Sequence, residues 1–250
     1  MILFFFKFFI TNFVFSLILC SLLIRLNAHG RYSNSEIMLY SLGLGPAFTS
    51  LLLYHSFLIV PHHSNAFYLI LIIVVYVLLA FMGRKSLKFI YRDVLNDLKR
   101  GFALRGSLSQ RSEHIILLAV VVVPLVVYLF YYVTRIVHQP LIGHDILNYG
   151  IMGRILFEER SLAPIWLTNF AKGGFSYDIL HPPSFSLILT WEELMNSPFH
   201  IKSDLYFKSI SAYYGLLIVG VQFYWLSKQS KWLAALAAFV LLSAIKVISV

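Results

Sequence analysis

Charged side chains are scarce. Asp, Glu, Lys and Arg make up 12% of the 250 residues while 59% are hydrophobic, against roughly 25% charged and 45–50% apolar in a soluble domain. Residues 37–83 and 115–134 contain no Asp, Glu, Lys or Arg, and apolar runs near or above about 18 residues read as bilayer spans. A soluble globule is therefore excluded. There is one cysteine, Cys20, set in an apolar run, which excludes an intrachain disulfide and a cysteine-based zinc site. Acids are few as well: 11 against 20 basic residues, a net charge of +9. In a soluble chain that excess would point to nucleic acid, but here it is concentrated in one segment without an accompanying aromatic or motif context, so no nucleic-acid partner is expected. Internal repeats, low-complexity tracts and a soluble domain are also missing.

What is present reads as an all-α, polytopic transmembrane bundle of about six to seven spans. The first covers about 8–24, flanked by Lys7 and Arg25. It is longer than the 7–15-residue core of a signal peptide, and no small-x-small cleavage site precedes Arg25, so it is read as a retained span. Residues 37–83 are too long for one crossing, and Pro61-His62-His63-Ser64-Asn65 interrupts them, which predicts a helical hairpin with spans near 37–60 and 66–82. Next, between 84 and 113, eight basic residues stand against three acidic ones, the mark of a cytoplasmic loop. Leu87, Ile90, Tyr91, Val94 and Leu98 recur there at steps of three and four, which predicts a basic amphipathic helix, either on the membrane surface or as a solvated linker. A fourth span covers about 115–134. The segment 138–181 follows, with acidic and basic residues nearly balanced, and is placed outside the membrane with short juxtamembrane helices. Segment 184–195 is marginal as a span because Glu192 and Glu193 lie within it, and spans near 209–227 and from Trp232 onward complete the chain. If segment 184–195 crosses, Lys228 and Lys231 fall outside, against the positive-inside rule. Two regions result, 1–113 with three spans and the basic loop, and 114–250 with the remainder. The apolar run still open at Val250 reads as the front portion of a larger protein.

Most ionisable residues lie outside the spans, unlike the usual transporter or channel. The chemistry-bearing residues gather in the external loop. Pro140 and Gly143 break the fourth helix, and Asp145 precedes Ile146, Leu147, Tyr149, Ile151, Met152, Ile155 and Leu156, a pattern for a short helix packed along the membrane with Asp145 at its start. Asp145 is a favoured N-cap residue. A carboxylate just outside the bilayer can also take a proton from an acceptor hydroxyl or help hold a divalent cation. His144 beside it reads either as a loop histidine or as a metal ligand. Arg154 reads as a headgroup-level arginine or as a phosphate fork. Further on, Tyr177-Asp-Ile-Leu-His-Pro-Pro-Ser-Phe-Ser186 carries a Pro-Pro step that can simply open the next helix.

Taken together, an acidic residue soon after a span, Tyr149 four residues on, a basic residue beyond, and then His181-Pro182-Pro183 leading into the next helix resemble the GT-C glycosyltransferases. The likeness is nearest to the branch of protein O-mannosyltransferases and lipid A aminoarabinose transferases, and it covers about 115–250. In that branch the acid is commonly followed by a second acid and the Pro-Pro step by an apolar residue; here Ile146 and Ser184 stand in those places. The resemblance implies an enzyme of the external face that moves a sugar from a polyprenyl-phosphate donor to an acceptor hydroxyl, usually with inversion. It implies Asp145 as catalytic base, with Tyr149, Arg154, His181, Pro182 and Pro183 on the substrate side. A divalent cation such as Mg or Mn, held by His144 and Asp145, is implied as in some relatives. The expected setting is a bacterial cytoplasmic membrane. The competing expectation is a non-enzymatic multi-span protein, such as a transporter, flippase or envelope-assembly component, and a lipid-linked glycan polymerase shares the external-loop logic.

Overall fold

The computed structural model describes residues 2–27, 32–102, 108–138, 144–162, 183–199 and 208–248. These are all-helical, with eight α-helices: α1 (Ile2–Leu26), α2 (Asn34–Ile59), α3 (Asn65–Phe102), α4 (Leu108–His138), α5 (His144–Glu159), α6 (Pro183–Asn196), α7 (Lys208–Ser227) and α8 (Lys231–Ile248). Four of them, α1, α2, α3 and α7, are long and apolar enough to cross a bilayer; α4 and α8 carry shorter apolar stretches, Ile115–Tyr131 and Lys231–Ser243. The fold is the expected helical membrane bundle.

Its surface is apolar and part of its interior polar, as lipid solvation requires. On α3 and α4, Ile73, Val77, Phe81, Val123, Val127 and Phe130 point outward, while Asn12, Ser16, Ser21, Ser41, Thr49 and Ser50 are buried between helices. Without water as competitor, helices associate through close packing and hydrogen bonds. Pro46 illustrates this inside α2. Proline has no N–H, so the carbonyl four residues back, Leu42, loses its helical donor. The hydroxyl of Tyr213 on α7 donates to that carbonyl at 2.6 Å. One turn on, the hydroxyls of Thr49 and Tyr76 lie 2.9 Å apart and tie α2 to α3.

Local sequence explains the ends. At the start of α2, the Ser33 hydroxyl accepts from the Glu36 N–H while the Glu36 carboxylate accepts from the Ser33 N–H, a reciprocal capping box. Between α2 and α3, His62 adopts a left-handed backbone, φ 63°, as does Arg160 after α5, φ 53°. The two meet: the His62 N–H donates to the Arg160 carbonyl at 2.9 Å, and the Tyr68 hydroxyl lies 2.7 Å from the Val60 carbonyl and 3.3 Å from that of Arg160. The end of α5 thus docks on the α2–α3 turn.

Three expectations are refined. The basic amphipathic segment is not a separate helix on the membrane surface. It continues α3, whose 38 residues measure about 57 Å, nearly twice the hydrocarbon thickness. Neither proline nor a glycine pair interrupts residues 84–100, so the helix has no reason to stop where the lipid does. Segment 184–195 is α6, and its 14 residues reach only about 21 Å, too short to cross. Lys228 and Lys231 consequently return to the end of the bundle occupied by the start of α2: Lys228 Nζ is 2.8 Å from Glu36 Oε1, and Trp232 Nε1 donates to Glu113 Oε1 at 2.9 Å. Arg25 joins them there, donating to the Met82 carbonyl at 2.7 Å. Arg25, Lys228 and Lys231 therefore share one end of the bundle, so Lys228 and Lys231 no longer stand opposite the basic end of α1.

Candidate functional site

Helices α5 and α6 lie side by side and run in the same direction. The ring of Tyr149 meets Phe185 edge-to-face, with centroids 5.0 Å apart. One turn later, the Thr190 hydroxyl sits 3.0 Å from the Gly153 carbonyl. A Cβ on Gly153 would come within 2.7 Å of Leu189 Cβ and 3.0 Å of the Ser186 carbonyl, so glycine is what lets the helices touch. After that, Arg154 Nη1 donates to Glu193 Oε1 at 3.0 Å. The pair is buried against α2 and α3 through Met152, Leu156, Leu187, Trp191 and Leu194.

This parallel arrangement sets the N-terminal turns of α5 and α6 next to each other. Asp145 is the second residue of α5 rather than the residue that caps it, a position where a carboxylate still opposes the positive helix end. Pro183 is the first residue of α6, where its missing N–H costs no helical bond. His144 and Asp145 are described as helix backbone only. The side chains of His144, Asp145 and Pro183 lie outside the described residues, as do His181 and Pro182 altogether. Among the described residues there is no cluster of three or more His, Cys, Asp or Glu side chains with metal-binding geometry.

Arg154 has a structural occupation. Besides Glu193 it holds Glu158, one helical turn on, with Nε to Oε1 at 3.1 Å. Glu193 is 1% exposed, and a buried carboxylate of this kind is strongly destabilising unless paired. The guanidinium supplies two donors in a planar fork and clamps α5 to α6.

Nearby lies a second buried charge group that the sequence reading did not assemble. Lys7 Nζ donates to the Asn196 side-chain carbonyl at 2.7 Å and to the Met195 carbonyl, at the last turn of α6, and stands 5.1 Å from the Phe199 ring centre. Burial pushes the Lys7 ammonium down to about 8, although the negative charge of buried Glu192 works in the opposite direction. The signal was visible as two adjacent acids in an apolar 14-mer and a single lysine ahead of the first span. Nothing in spacing alone joins residues nearly 190 positions apart. Two further polar atoms are buried with no hydrogen-bond partner among the described residues, Ser186 Oγ and Trp191 Nε1.

Comparison with protein-family models, with curated proteins and with solved structures finds no match. The class is therefore a helical protein with helices long and apolar enough to cross a membrane and a short helix pair joined by an ion pair.

Proposed function

We propose that the protein is a membrane glycosyltransferase, or part of one, which moves a sugar from a polyprenyl-phosphate donor to an acceptor hydroxyl at the external membrane face. The observation that carries this reading is the parallel α5–α6 pair. The Tyr149–Phe185 contact brings together the two helix starts that bear Asp145 and Pro183, although some 38 residues separate them in sequence. In this reading Asp145 takes the proton from the acceptor hydroxyl as that oxygen bonds to the anomeric carbon, and the bond from that carbon to the polyprenyl phosphate breaks with inversion. His181 lies beside the departing phosphate. Tyr149, Arg154, Pro182 and Pro183 shape the substrate side, Arg154 by holding α5 on α6. His144 and Asp145 are the residues that would hold a divalent cation, which would neutralise the leaving phosphate. The end bearing Arg25, Lys228, Lys231 and the 83–113 segment faces the cytoplasm of a bacterial cell, and 138–181 faces outward.

The test uses the full chain in liposomes with radiolabelled polyprenyl-phosphate mannose, glucose or aminoarabinose, following label as it leaves the lipid fraction. We expect turnover by the wild type and a loss of at least about 100-fold in Asp145→Asn, with membrane insertion unchanged. Equal turnover by that variant overturns the assignment. The second reading, a non-enzymatic multi-span protein, draws support from half-buried Lys7 and buried Glu192 and Glu193, because charges inside membrane proteins commonly line transport paths. It expects Asp145→Ser, which retains a helix-start oxygen, to be silent in every assay.

A further inference from the structure

A different site lies at the opposite end of the bundle from the α2–α3 turn. Where the apolar spans of α1 and α3 end, at Leu26 and Ser86, the two helices border a half-open cavity of about 480 Å³ lined by Arg25, Phe81, Met82, Arg84, Lys85 and Ser86. Its cations come from two helices held close together. Gly83 is buried against α1, and a Cβ there would stand 2.0 Å from Ser21 Oγ, so the absence of a side chain sets the spacing between the walls. Arg25 is anchored by its bond to the Met82 carbonyl, which uses one of its five N–H donors. Arg84 is oriented by stacking its guanidinium over Phe81, 4.5 Å from the ring centre. Among the described residues no carboxylate lines the cavity. Below the cations, Phe81 and Met82 remain largely exposed, offering an apolar wall toward the lipid.

We propose that this cavity binds the phosphate of an acidic phospholipid, with an acyl chain along Phe81 and Met82. A phosphate satisfies two guanidinium forks at once, and two features select a lipid over a soluble anion. The cations sit where two apolar spans end, which is the depth of the headgroup layer, and the cavity is continuous with an exposed apolar face. Positive-inside topology by itself requires only that basic residues be present at this end. It does not require three of them from two helices to share one cavity.

The full chain is reconstituted in phosphatidylcholine nanodiscs containing a minor share of phosphatidylglycerol, and lipid retained on release is measured by native mass spectrometry. Retention of phosphatidylglycerol over phosphatidylcholine is expected. Arg84→Gln and Lys85→Gln should each weaken it about fivefold, Arg84→Lys, which keeps the charge but loses the fork and the stack on Phe81, should weaken it by less, and helical ellipticity should stay unchanged in all three. Lys231→Gln removes an exposed cation from the same end outside the cavity and should change nothing. Equal loss in Lys231→Gln would reveal diffuse surface attraction and overturn the proposal, as would equal retention of phosphatidylcholine or full retention in both glutamine variants. Displacement of the lipid by inorganic phosphate in large excess would identify a soluble anion as the ligand and overturn it too.

Discussion

A proline in the middle of α2 ought to be a liability in lipid, since no water is available for the carbonyl it orphans. Tyr213 converts it into an attachment point, because its hydroxyl reaches the Leu42 carbonyl from another helix. Tyr213→Phe retains the ring, which meets Phe9 edge-to-face at 5.7 Å, and removes the donor to Leu42 together with a 3.5 Å contact to the Ser16 hydroxyl. It should cost about 1–2 kcal/mol, read as a lower unfolding midpoint in detergent, whereas the same change at exposed Tyr40 should cost nothing measurable. Lys7 makes stability depend on pH. Its proton is held less tightly in the folded protein, near 8, than in the unfolded chain, near 10.5. Between those values the unfolded chain binds more protons, so stability rises with pH across that window and is flat below it as far as this group is concerned. Thermal unfolding from about pH 8 to pH 10.5 should show the rise in the wild type and lack it in Lys7→Met.

The α5–α6 pair depends on one missing side chain. Alanine is the better helix former by about 1 kcal/mol, so Gly153→Ala would stabilise an open position. Here the added carbon meets Leu189 and the Ser186 backbone, and the variant should instead be destabilised, by about 1–3 kcal/mol, with loss of any activity that needs the two helix starts in register. At Gly220 on α7 nothing stands within 4 Å of the same carbon, and Gly220→Ala should raise the unfolding midpoint. Most elements were legible in the sequence because charge-free runs and helix periodicity report on lipid directly. α2 and α7 begin and end close to the expected positions at 37–60 and 209–227, and α3 begins where the span at 66–82 was expected to begin. The length of α3 was not legible from hydropathy, since a helix needs only its own hydrogen bonds to continue beyond the bilayer. Nor was the partnership of Arg154 with Glu193, or of Lys7 with the end of α6. Those are contacts between distant segments, and a buried carboxylate in a sequence looks the same as an exposed one. For Asp145 and for Pro183 the sequence located the helix starts to within a residue, and the structure adds that the two helices run side by side.

Across the whole molecule, helix ends sort into two sets. Arg25, Glu36, Glu113, Lys228 and Trp232 belong to one end, and His62, Tyr68 and Arg160 to the other. Cys20 is buried, so cysteines introduced at exposed sites can be labelled against a quiet background. His63→Cys should react with a membrane-impermeant maleimide on intact cells, and Gln229→Cys only after permeabilisation. Reaction of both from one side would break the arrangement.

The larger core joins α1, α2, α3, α5 and α6 with Ile210 and Tyr213 from the start of α7, while Tyr128, Val219, Ala238 and Leu242 form a smaller one among α4, α7 and α8. One helix thus serves both cores, and its Tyr213 hydroxyl fastens it to the α2 backbone. In mechanical terms α7 is an axle: force or heat should strip α4 and α8 from its far half while α1 to α3 still grip α5 and α6. Amide exchange should accordingly rise first in α4 and α8, leaving the helix pair that carries Asp145 and Pro183 among the last parts of the protein to loosen.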